Sequence, residues 1–318
     1  MKFFTRIMTL LAVVVATTGG CPAWTEGQHA FSTSKKILAF PKDRSLGTLT
    51  IRSTDKKMTT LEARGNITVP AGSRVLLAAN FDSASNLSWL KQLPPDGITK
   101  LVLAKLDVND SQMQNVASLT GLEALDICET EVTDKGLTAL SGMTGLKELE
   151  VHEAMITGKG LKALTRLANL EYLCASSNKL GDAGIESLLP LKKLKLLNLA
   201  RCGLTNRALS SIGKMTQLRH LDIQYNDAIT DKGIASLAGL KNLRTLQLGE
   251  TSIGGNSIKS LVKLTSLRHL IYSPQQFTRL DIKEIENALP NCKCNTILAR
   301  RGIPEDLVLP KPKSGIYR

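Results

Sequence analysis

From Ile98 onward, aliphatic residues return at the same offsets every 24 residues, in units that begin at Ile98, Leu122, Leu146, Leu170, Leu194, Leu218 and Leu243. One extra residue, near Asp227, lengthens the sixth unit. Leu122, Leu125, Ile127, Val132, Leu137, Leu140 and Met143 fill the apolar slots once, and Leu218, Leu221, Ile223, Ile229, Ile234, Leu237 and Leu240 fill them again. Within a unit, L-x-L alternates like a short strand with one face inward, and L-x-x-L-x-x-L has helical spacing. Each unit therefore predicts a strand, a turn and a helix.

The unit reads L-x-x-L-x-L-x-x-T/N/C-x-I/L-T-D-x-G-L-x-x-L-x-x-L, and in this it resembles the leucine-rich-repeat family with helical backs, including the repeats of F-box-type receptors. The resemblance implies an α/β solenoid, a horseshoe with a parallel β-sheet on its concave face and helices on its convex face. Thr133-Asp134-Lys135-Gly136 recurs as Thr230-Asp231-Lys232-Gly233 just before the helical leucines, where a threonine or aspartate can cap the helix. Thr130, Asn178, Cys202, Asn226 and Thr251 share one turn position and read as a structural ladder that satisfies backbone groups of the neighbouring coil.

A solenoid needs capped ends. Leu46-x-x-Leu49-x-Ile51, strands around a turn at Asn66 to Gly72, and a degenerate unit over Val75, Leu77, Leu87, Leu90 and Leu93 predict a β-rich N-terminal cap across 46–97. The seven repeats then occupy 98–266, a last repeat and cap 267–294, and a basic tail with Pro304, Pro310 and Pro312 occupies 295–318. Residues 1–20 pair Lys2 and Arg6 with an apolar run from Ile7 to Ala16 and a small-residue exit, the pattern of a secretory signal. Residues 21–45 read as linker. Thr18-Gly19-Gly20-Cys21 resembles a bacterial lipobox, which makes Cys21 the candidate lipidation site and the only expected tie to a membrane. The expected location is the periplasm, outer envelope or exterior.

Composition narrows the partner. Hydrophobic residues make up 42% of the chain and aromatics 4%, so the core is aliphatic and few rings are available to stack on bases. The net charge of +13 is concentrated outside the repeats, because Ile98 to Pro290 contributes only +3. Nucleic acid is not expected as a partner, and the chain is expected to be monomeric.

Equivalent strand positions of successive units form rows about 4.8 Å apart. On the rows read as outward, Asp126, Glu129, Glu148, Glu150 and Glu153 gather into an acidic patch, with His152 among them. Tyr172, Arg201, His220, Asp222 and Tyr225 lie beside it. Tyrosine and arginine are enriched at interface hot spots, so the expected function is noncatalytic recognition, through the concave sheet, of a protein with a basic edge. No cofactor, metal or catalytic residue is assigned. His220 and His269 fall two strands apart, about 10 Å, too far to share a zinc ion easily. Cys128 and His152 occupy the same position on neighbouring strands, and with diagonal Cys174 they define the alternative of a thiol or metal site. The other alternative, a substrate-recognition subunit of a ubiquitin-ligase-type complex, conflicts with the short stretch before Leu46.

Overall fold

A computed structural model describes residues 34–297. The signal pattern, Cys21 and most of the basic tail lie outside the described residues.

The N-terminal cap is built from β1 (Lys36–Ala39), β2 (Gly47–Arg52), β3 (Met58–Glu62), β4 (Asn66–Val69) and β5 (Arg74–Ala79). β1 pairs antiparallel with β4, while β2 lies antiparallel between β3 and β5. The cap therefore starts ahead of its expected boundary at Leu46. Some of the expected linker is strand, and its Leu38 is fully buried. Pairing of β1 with β4 is non-local, so the periodicity of either segment alone does not reveal it.

One parallel strand per unit follows: β6 (Lys100–Val102), β7 (Ala124–Asp126), β8 (Glu148–Glu150), β9 (Tyr172–Cys174), β10 (Leu196–Asn198), β11 (His220–Asp222) and β12 (Thr245–Gln247). β13 (His269–Tyr272) and β14 (Lys293–Thr296) close the sheet in the same parallel sense. Leu101, Leu125, Leu149, Leu173, Leu197, Leu221, Leu246 and Leu270 stand in one register. None is more than 2% exposed. The return segment of each unit is a short α-helix, a 3-10 turn or both. Its leucines meet the strand leucines in one continuous aliphatic core.

Two devices tie neighbouring units together. The predicted ladder is present: Asn226 Nδ2 donates to the carbonyls of Leu199, Ile223 and Gln224, and its Oδ1 accepts from the amides of Cys202 and Leu204. Two units earlier, Asn178 acts in the same way, donating to Val151, Ala175 and Ser176. Thr130 donates only locally, to Ile127, whereas Thr251 donates to Leu248 and its hydroxyl also accepts from Gln276 Nε2 of the next segment.

The second device is the Thr-Asp pair, which does more than cap. Thr133 does accept from the amide of Lys135, but its own amide and hydroxyl donate to Asp110 of the preceding unit, at 2.8 and 2.6 Å. Asp134 receives Thr157 in the same way, and Asp182 receives Thr205. The glycine of T-D-x-G follows from this. A Cβ on Gly136, Gly160 or Gly233 would collide with Asp110, Asp134 or Asn206 of the unit before it.

Candidate functional site

Each strand from β6 to β12 runs into a turn that holds one residue with a left-handed backbone. Lys105, Glu129, Glu153, Ser177, Arg201, Tyr225 and Glu250 all have φ between 50° and 63°. None is glycine, and each such residue costs about 1–2 kcal/mol. A ladder of hydrogen bonds to the next unit offsets that cost. The amide of Lys105 donates to Cys128, that of Glu129 to His152, Glu153 to Ser176, Ser177 to Ala200, Arg201 to Gln224 and Tyr225 to Gly249, all at 2.8–3.1 Å. The carbonyl-rich end of the sheet thus dictates the turn, and the turn aims a row of side chains away from the core.

Asp126 and Asp222 help to shape these turns. Asp126 Oδ1 accepts from the Cys128 amide and Asp222 Oδ1 from the Gln224 amide, each at 3.0 Å, as Asn198 does for Ala200. Such a bond from an Asp or Asn side chain to the backbone two residues on favours a turn.

The expected site residues separate into two groups. Arg201, Tyr225 and Glu153 are exposed, and Glu129, His152 and His220 are partly exposed. Asp126, Glu148, Glu150, Tyr172 and Asp222, expected to be solvated, are all buried, with Glu150 only 3% exposed. They do occupy the sheet rows in the expected register. Side chains repeated at the strand spacing shield one another, so a position on the sheet face is not by itself a solvated position. Glu148 and Glu150 also flank Lys100 Nζ, at 4.0 and 3.6 Å. These carboxylates therefore belong to an internal charge cluster. Burial pushes the Glu148 carboxyl above its ordinary range, against the pull of Lys100 and Arg74.

The sequence model for the leucine-rich repeat matches residues 214–238, which run from one return segment through β11 into the next. The same strand, turn and return segment recurs from β6 to β12. The matched residues are similar to one leucine-rich repeat. Among solved structures, internalin C2 of Listeria monocytogenes is similar at 21% identity, covering 60% of this chain and 92% of its own, with a TM-score of 0.45. A search of curated proteins finds no match.

The repeats also place the thiols and histidines. Cys128 sits on the leucine-rich sheet, with its Sγ within 4.8 Å of carboxylate oxygens of Asp126 and Glu150. Burial, then Asp126, pushes its thiol far above the ordinary range. Burial pushes Cys174 up to about 11 and Cys202 up to about 12. A thiol held this firmly in its neutral form is a poor nucleophile. Cys202 instead donates to the Ala175 and Ala200 carbonyls within the ladder. His152 groups with Glu129 and Glu153, one ligand atom of each lying within 4.8 Å of the other two.

His220 is held below the ordinary histidine range, at about 4, by burial first and then by Arg244, His269 and Arg219. In the unfolded chain a histidine takes its proton near pH 6.5. Between about pH 6.5 and pH 4 the unfolded state therefore binds more protons than the native state, so His220 lowers stability as the pH falls through that window. The loss amounts to about 3 kcal/mol. Urea unfolding of the parent and of His220→Gln at pH 7.5, 5 and 4 should show a shallower decline in the variant. Parallel declines would remove His220 as the cause.

Proposed function

We propose that this chain is a noncatalytic, exported binding protein that recognises a protein partner through the row of left-handed turns at the strand ends. The observation that carries this reading is the row itself. A repeated backbone holds Lys105, Glu129, Glu153, Ser177, Arg201 and Tyr225 in one conformation while their chemistry changes from unit to unit. Repeat scaffolds display variable side chains on a rigid frame in this manner. Arg201 lies 5.0 Å from the centre of the Tyr225 ring, so cation and ring order each other before any partner arrives. A shallow open hollow lined by Ser177, Lys179, Arg201 and Gly203 among others lies beside Arg201. Glu129 and Glu153 form an acidic flank suited to a basic edge on the partner.

Export rests on the cationic, apolar and small-residue succession of residues 1–20. No helix among the described residues is long and apolar enough to cross a membrane. The mass of the intact protein recovered from its native host should lack about the first 20 residues, as expected for a cleaved signal. Retention of Met1 would count against export.

With a partner recovered from the native envelope, Arg201→Ala and Tyr225→Ala should leave the fold intact and speed dissociation, each costing about 2 kcal/mol or more as hot-spot truncations do. Glu129→Gln with Glu153→Gln should mainly slow association and weaken its dependence on salt, because steering charges act during encounter. If all three variants bind as the parent does, the recognition surface lies elsewhere.

A further inference from the structure

We propose that Glu129, His152 and Glu153 form a binding site for a divalent transition-metal ion of the zinc class. One ligand atom from each residue lies within 4.8 Å of the other two. His152 Nε2 stands 3.6 Å from Glu129 Oε1, longer than a hydrogen bond. That separation is close to the chord of about 3.4–3.6 Å between two donors each about 2.1 Å from a shared tetrahedral ion. Glu129 and Glu153 occupy the same left-handed position in successive units, with φ of 53° and 50°, so the fold sets two carboxylates side by side. His152 immediately precedes Glu153 and is partly exposed.

The donor set decides the class of ion. Calcium and magnesium prefer all-oxygen shells, whereas an imidazole with two carboxylates suits zinc and its neighbours. Three protein donors would leave a position open for water or for a side chain from another molecule. Lys105 Nζ, 3.3 Å from the same Glu129 oxygen, is the internal cation that an incoming metal would have to displace. Removing Lys105 should therefore strengthen metal binding, an outcome that a merely structural ion cluster does not produce.

The test is calorimetric titration of the full, reduced chain with zinc chloride at pH 7.5, with calcium chloride as the comparison. One zinc ion per chain is expected. His152→Gln and Glu153→Gln should each weaken binding by about tenfold or more, with unchanged thermal unfolding of the metal-free proteins. Lys105→Met should bind several-fold more tightly. Cys292→Ser with Cys294→Ser should bind as the parent does, and cobalt loaded in place of zinc should show no thiolate charge-transfer band. The proposal is overturned if His152→Gln binds zinc like the parent, if binding disappears in the double serine variant, if calcium binds as tightly as zinc, or if zinc does not bind.

Discussion

Leu199→Asp is expected to unfold several repeats at once. Leu199 follows β10, is fully buried and belongs to the aliphatic core. Truncating such a leucine costs about 2–5 kcal/mol, and placing a carboxylate in its position adds several kcal/mol more or forces the group neutral. Whole domains are stable by only about 5–15 kcal/mol. Because each repeat is supported by its neighbours, the loss should spread to the units on either side. Lys192→Asp, on an exposed return segment, should change stability by no more than about 0.5 kcal/mol. Chemical unfolding followed by far-ultraviolet circular dichroism separates the two. Equal midpoints would contradict the inward register of the 199 position.

Asn226→Ala should have the second largest effect, although it removes only a small polar group. The side chain is 1% exposed and serves three carbonyls and two amides drawn from two consecutive units. Each buried backbone group left without a partner costs about 1–3 kcal/mol, and water cannot reach all five. A total of about 3–5 kcal/mol is expected after local relaxation. Thr130→Ala, at the same turn position but with one hydrogen bond of its own, should cost about 1 kcal/mol. Urea titration of both variants decides this. An Asn226→Ala variant no less stable than Thr130→Ala would show that the asparagine does not join the coils.

The repeats were legible because burying a leucine face imposes a strict period, and a period survives in sequence. The ladder at Asn178 and Asn226 was legible for the same reason. The Asp110, Asp134 and Asp182 links were not, since an aspartate at the start of a helical segment reads as a helix cap until the next coil is placed against it. The left-handed turns escaped notice because glycine is their usual signal. Here, Glu129, Arg201 and Tyr225 adopt them under the pull of inter-unit hydrogen bonds.

The candidate site was legible in outline and misjudged in exposure. Register correctly grouped Glu148, Glu150 and Tyr172 on neighbouring strands, but alternation describes direction and carries no information about crowding. Those side chains are buried. The exposed chemistry moved past the strand ends to Glu153, Arg201 and Tyr225. Among these, the ring contact between Arg201 and Tyr225 had a visible signal, because the two hold the same position in adjacent units.

The central claim is that recognition belongs to the turn row, and covalent carboxyl labelling read by mass spectrometry tests it most directly. Labelling is compared with and without the partner bound. Glu129 and Glu153 should be protected in the complex, while Glu186 and Glu284, exposed on return segments, should label equally in both states. Protection of Glu186 and Glu284 with unchanged labelling of Glu129 and Glu153 would contradict the account and place the interface on the helical side.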